Sequence, residues 1–113
     1  MQKIELLIKP LSINKCWQGR RFKTREYKNY GLEVGLLLNR LGLKQIKGYV
    51  KVEYKFYLKH WKTTDIDNLI KPIQDILVNH GVIEDDRFII DTRIQKVPSD
   101  RDFIEIRISK KGR

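Results

Sequence analysis

The stretch YVKVEYKFYLK, residues 49–59, sets the tightest limit on what this 113-residue chain can become. Apolar and charged side chains alternate along it almost without a break, and alternate side chains of an extended strand point to opposite faces. One face of such a strand is dry and the other wet, so the stretch reads as a half-buried antiparallel strand. Its dry face needs an apolar cover, and two segments have the spacing to supply one. From about residue 24 to 43, Tyr27, Tyr30, Leu32, Val34, Leu37, Leu38 and Leu41 recur at steps of mostly three and four, a helical period weakened by Gly31 and Gly35. In LIKPIQDILVNHG, the residues Leu69, Ile70, Ile73, Ile76, Leu77 and His80 share a helical face, and Gly81 provides a stop.

Other strands flank these segments. IELLIK at 4–9 reads as a first strand, and PLSINKCWQGRRFK after it as a loop. FIIDTRIQKV and DFIEIRIS alternate again, and the intervening PSDR is a hairpin signal. The expected fold is α+β, a single small domain over residues 1–113 in the order strand-helix-strand-helix-strand-strand, with a mixed or antiparallel sheet. No run approaches the ~18 apolar residues of a membrane span. MQKIELLIKP reads as a strand and not as a signal peptide. The single cysteine, Cys16, excludes an internal disulfide, and with only two histidines it argues against structural zinc. An intracellular, cytoplasmic protein is the expectation.

Charge is unevenly placed. Residues 1–62 carry 15 Lys/Arg and 4 Asp/Glu, whereas residues 63–113 carry 9 and 10, for a net charge of +10. A polycation of this size suggests a polyanionic partner, nucleic acid before membrane, because no basic amphipathic helix stands apart from the core pattern. Against that background, six of the fourteen carboxylates crowd into residues 65–86, DIDNLIKPIQDILVNHGVIEDD.

Asp65 and Asp67 lie two apart just before a helix, and in extended chain they point the same way with Cα atoms ~6.5–7 Å apart. Helix capping accounts comfortably for one of them. A cation held between them accounts for both. Asp67, Lys71 and Asp75 are spaced by four, a row on the solvent face opposite Leu69, Ile73 and Ile76. Such a row is either a set of surface ion pairs or a fixed positive charge beside a metal-binding carboxylate. Pro72 requires the helix to begin late or with an irregular first turn. Glu84, Asp85 and Asp86 make a turn before the next strand, from which one acid could meet the 65/67 pair.

These residues resemble a known signature. DIDNLIKPIQDIL, then Gly, then EDD is similar to the pattern of the RusA family of Holliday-junction resolvases, and KPLSINKCW resembles that family's Pro/Ser/Asn segment ending in an aromatic. Strand order and length extend the resemblance over nearly the whole chain, with one proline, Pro10, where relatives often have two. The resemblance implies catalytic and metal-binding carboxylates at Asp65, Asp67 and Asp86, a catalytic Lys71, and supporting roles for Asp75 and Asp85. It further implies a homodimeric, Mg²⁺-dependent endonuclease, with Mn²⁺ expected to substitute and no small-molecule cofactor. Its partner would be branched DNA, a four-way junction cut by paired phosphodiester hydrolysis in recombination, repair or phage replication, in a bacterial or phage-infected cytoplasm.

The basic half would then supply DNA contacts from Lys15, Arg20, Arg21, Lys23, Arg25 and Lys62, with Trp17 either stacking on an unpaired base or packing in its loop. Phe22 and Tyr27 read instead as core residues of the first helix. Two alternatives remain. EYK at 53–55 matches half of another Mg²⁺-nuclease motif, but strand alternation explains it and no Asp lies upstream at the required distance. A non-catalytic basic nucleic-acid-binding module would share charge and fold, its acids merely capping helices.

Overall fold

The computed structural model describes residues 1–19 and 22–111. A four-stranded mixed sheet is built from β1 (Gln2–Leu6), β4 (Val50–Leu58), β5 (Ile89–Pro98) and β6 (Phe103–Lys110), in the order β1-β6-β4-β5. Two helices, α1 (Arg25–Leu41) and α2 (Ile70–Asn79), complete the expected α+β order. A short hairpin of β2 (Trp17–Gln18) and β3 (Phe22–Lys23) forms within the segment expected to be a loop, with Gly19 at φ 67° in its turn.

The alternation of residues 49–59 is realised in full. Val50, Val52, Tyr54, Phe56 and Leu58 are buried, and Lys51, Glu53, Lys55 and Tyr57 point to the opposite face. The dry face continues through Ile104, Ile106 and Ile108 of β6 and Ile4 and Leu6 of β1, all fully buried. Tyr27, Tyr30, Val34 and Leu38 of α1 and Ile73, Ile76 and Leu77 of α2 belong to the same core. Thr24 caps α1, its hydroxyl accepting from the Tyr27 N–H at 3.2 Å, and Gly42 closes it at φ 58°. On the uncovered sheet face Glu105 accepts from Arg107 (3.1 Å) and from the Tyr57 hydroxyl (3.0 Å), while Lys51 pairs with Glu53 at 3.1 Å. Glu53 of the EYK stretch is thus held in strand ion pairing.

Besides the hairpin in the expected loop and a first strand that ends at Leu6 and not at residue 9, four further sequence expectations need correction. First, PSDR is not a hairpin: β5 pairs parallel with β4 (Val52↔Thr92), and β6 pairs antiparallel with β4 on its other side (Val52↔Ile108). β4–α2–β5 is a crossover unit, which requires parallel strands joined by a helix. On the dry face β6 offers Ile104, Ile106 and Ile108 where β5 offers Thr92, Ile94 and Lys96, so the more apolar strand takes the interior position. The PSDR connection wraps over the end of β4, the Ser99 N–H donating to Leu58 O at 3.1 Å. Second, Leu32 and Leu41 are 68% and 48% exposed, because the buried stripe of α1 runs through Tyr27, Tyr30, Val34, Gly35 and Leu38. Third, Phe22 is 73% exposed on β3, while Tyr27 is in the core as expected. Fourth, His80 is exposed at the end of α2 and lies over Gly35, where a Cβ would come within 2.6 Å of its imidazole. Gly35 is therefore a packing position between the helices.

The contrast between Ile106 and Leu32 is measurable. Ile106→Ala should cost about 2–5 kcal/mol in urea unfolding, and Leu32→Ala should stay within roughly 0.5 kcal/mol of the parent.

Candidate active site

The acidic segment begins where β4 ends. After the turn Trp61–Thr63, Asp65 is extended (φ −81°, ψ 120°) and opens a tight 3-10 turn over Ile66–Leu69, which runs into α2. Pro72 is the third residue of α2, where its missing N–H falls among first-turn donors that have no helical partner. The irregular start expected from Pro72 is this 3-10 turn. It also breaks the expected row of three: Lys71 and Asp75 pair at 2.9 Å across one helical turn, while Asp67 lies before the helix.

Asp65 occupies the N-cap position of the 3-10 turn, yet its side chain makes no capping hydrogen bond. Among the described residues neither its carboxylate nor that of Asp67 accepts a hydrogen bond or joins an ion pair, and both are exposed. Both aspartates occupy the N-cap and first turn that suit an acid, but no capping hydrogen bond holds either there.

The three consecutive acids divide differently. Glu84 accepts from the Gly48 N–H at 3.1 Å, where Gly48 has φ 80°, and so fastens the loop before β4. Asp85 accepts from the Arg87 N–H at 3.1 Å and caps the turn Asp86–Phe88. That backbone bond, with the neighbouring Asp86 carboxyl after it, holds Asp85 below its ordinary carboxylate value. Asp86 is left exposed, 4.0 Å from the Lys71 ammonium. Lys71 thus bridges Asp75 and Asp86, and its hydrogen bond to Asp75 raises its pKa above the ordinary lysine value.

Two depressions flank this arrangement. A groove of about 780 Å³ runs between the 7–15 segment and α1, lined by Lys9, Lys15, Tyr30, Asp65 and Asn68 among others. A cleft of about 390 Å³ is lined by Trp17, Lys23, Tyr27, Asn79 and the carboxylates of Asp75, Asp85 and Asp86. In that cleft Trp17 meets Tyr27 edge to face at 5.8 Å, and the Lys23 ammonium lies 5.3 Å from the Tyr27 ring centre. Lys15, Trp17 and Lys23 therefore border the acidic site, Arg25 opens α1, and Lys62 lies over Trp61 at 5.6 Å just before Asp65. Arg20 and Arg21 lie outside the described residues.

Asp75, Asp85 and Asp86 share one cleft, and Asp65 opens into the other depression. Among the described residues no three His, Cys, Asp or Glu side chains gather so as to hold a metal ion. The sheet register gives the reason. The chain leaves β4 toward Asp65 at the Leu58↔Pro98 end of the parallel pair and enters β5 after Asp86 at the Val50↔Ile89 end. By donor chemistry the set fits a hard dication, since Asp65, Asp67 and Asp86 offer carboxylate oxygens that the fold does not consume as caps. Sequence reading put Phe22 in the core, although its exposure on β3 could have been suspected from GRRFK, where only cations and glycine adjoin it in sequence. It also missed Asn79, which gave no signal beyond its place at the helix end.

A family model described as Endodeoxyribonuclease RusA matches residues 12–109 of the 113-residue chain. No curated protein matches it at a significant level. Among the described residues no helix is long and apolar enough to cross a membrane.

The Asp85 cap has a pH signature. Its folded-state value is depressed, so its contribution to stability is full above the ordinary value of 3.8 and disappears as pH falls through the folded value. The difference in urea midpoint between the parent and Asp85→Ala should be constant from about pH 5 to 8 and shrink below 3.8.

Proposed function

The chain belongs to the RusA family of Holliday-junction-resolving endodeoxyribonucleases, and from that premise we propose that it cuts four-way DNA junctions by divalent-metal-dependent phosphodiester hydrolysis. The observation that carries this reading is the pair of carboxylates left unused by the fold, Asp65 and Asp67, one turn before a lysine clamped between Asp75 and Asp86. A structural surface would spend such acids on caps and ion pairs. Here Glu84 and Asp85 are spent in that way and the other two are not.

Asp65 and Asp67 at one end of the crossover and Asp86 at the other would hold one or two Mg²⁺ ions, with Mn²⁺ able to replace them. When bound among carboxylates, such an ion supplies acidified water and neutralises charge developing on phosphoryl oxygens. Lys71 serves as a fixed cation for the phosphoryl group or its leaving oxygen, in the manner of a preorganised electrostatic group. Asp75, at 2.9 Å, aims that ammonium and keeps it protonated.

Lys15, Lys23, Arg25 and Lys62 supply phosphate contacts around the site, and Arg20 and Arg21 add to the cationic charge of that half of the chain. Trp17 forms an aromatic wall of the carboxylate cleft and remains 42% exposed, so it can meet an unstacked base there. Phe22, on the paired strand of the same hairpin, offers a second exposed ring. Resolution needs two symmetric cuts, and a homodimer with an isologous interface offers two identical sites. We place the activity in recombination, repair or phage DNA processing in a bacterial cytoplasm.

Two experiments test the reading. On a synthetic four-way junction the protein should bind without divalent ion and cut only with Mg²⁺ or Mn²⁺. Binding with no cutting under any divalent ion would identify a non-catalytic binding module. Asp65→Asn, Asp67→Asn and Asp86→Asn should each abolish cleavage while junction affinity holds or rises, and Lys71→Ala should lower kcat about 10²–10³-fold with little change in affinity. Normal turnover in any one variant removes that residue from the site. In a second assay, Phe22→Ala and Trp17→Ala should weaken junction binding by about 1–3 kcal/mol each, read by gel shift, with binding to intact duplex changed less.

A further inference from the structure

Lys96 is a lysine in the wrong phase of its strand. In β5 it pairs with Phe56 and falls on the dry side of the sheet with Thr92 and Ile94, while its neighbours Gln95 and Val97 take the other face. Lys96 is only partly buried on this edge strand, and its ammonium is held by protein acceptors. It finds two backbone carbonyls, Trp61 O at 2.7 Å and Thr64 O at 2.9 Å. These are the two ends of the turn between β4 and the acidic segment, and the Thr64 carbonyl belongs to the peptide unit whose nitrogen is that of Asp65. Within the turn Thr63 and Thr64 donate to His60 O, and at its entry the Lys59 N–H donates to Asp102 Oδ1 at 2.9 Å. Lys96 holds both ends of this stretch to β5, whereas Asp102 holds only its entry, at Lys59.

We propose that Lys96 is a positioning residue for metal binding: by clamping Trp61 O and Thr64 O to β5 it fixes the direction in which Asp65 and Asp67 leave the sheet. The inference rests on the reading of those two aspartates as metal ligands. A tether from N–H donors of one charged group to two carbonyls is short and strong. Removing it leaves the ligands in the sequence and frees the backbone that aims them. Outer-shell groups that orient metal ligands are worth about 10–100-fold in metal affinity or activity.

Lys96→Met and Lys96→Arg are compared with the parent and with Asp65→Asn. Four quantities are read: thermal midpoint and junction affinity in EDTA, Mn²⁺ binding to the DNA-free protein followed by the paramagnetic signal of free Mn²⁺, and kcat against Mn²⁺ concentration. Lys96→Met should leave junction affinity in EDTA unchanged, weaken Mn²⁺ binding about 10–100-fold, and shift the Mn²⁺ dependence of cleavage by the same factor. Rate should return partly at high Mn²⁺, and Lys96→Arg, which keeps its donors, should lie near the parent. Unchanged Mn²⁺ binding in Lys96→Met, or a loss of kcat that no Mn²⁺ concentration relieves, overturns the inference. Should Lys96→Met fail to fold, Lys96→Gln, which keeps one donor pair, is judged by the same readouts. If Asp65→Asn itself binds Mn²⁺ normally, the ligand reading has failed. If Asp65→Asn loses Mn²⁺ and Lys96→Met does not, only the role of Lys96 has failed.

Discussion

The parallel pairing of β4 with β5 governs the rest of the molecule. Parallel neighbours cannot be joined by a tight turn, so the chain must leave one end of β4, cross the sheet and enter β5 at the other end. The crossover helix is α2, ten residues and roughly 15 Å long. Every acid of the candidate site lies on this crossover or at its two ends, and the apolar stripe Ile73, Ile76 and Leu77 that anchors it is buried in the core. The site is therefore built by the connection between two strands and stabilised by the same burial that holds the domain together.

That geometry separates the acids as well as gathering them. Asp65 and Asp67 precede α2, Asp86 follows it, and Lys71 reaches from the first turn of the helix to Asp75 and Asp86. A single ammonium between two carboxylates offsets part of their repulsion, though pairs this exposed contribute at most about 1 kcal/mol each. Although Lys9 and Lys15 line the same groove as Asp65, among the described residues Asp65 and Asp67 form no ion pair. Their like charge is tolerated because both are exposed to water, and the excess of Lys/Arg over Asp/Glu across the chain keeps the overall field positive.

Much of this was legible in the residues. Strict alternation in β4 dictated a sheet with one dry face, the periods of three and four dictated two covering helices, and Pro72 marked the irregular entry to α2. The DIDN…K…D…EDD spacing carried the family by itself. Partner choice within the sheet was hidden. PSDR has the composition of a hairpin, and only the competition for the interior position, won by Ile104, Ile106 and Ile108, sends β6 past β5 to the far side of β4. The distribution of labour among Glu84, Asp85 and Asp86 was hidden too, because it depends on which backbone N–H each can reach. Phe22 was misjudged for a related reason: periodicity assigns a residue to a face only within an element, and Phe22 falls just outside the helix, on β3.

The position of Lys96 follows from that same competition between strands. An edge strand tolerates a charged side chain in its inward phase because its flank is open, whereas a strand enclosed on both sides does not. Having lost the interior position to β6, β5 could carry a lysine at the register of Phe56, next to the point where the chain turns out of β4. There the ammonium donates to two carbonyls of the turn, Trp61 O and Thr64 O. The strand order that looks anomalous beside the hairpin expectation is thus what brings a cation to the backbone immediately before Asp65.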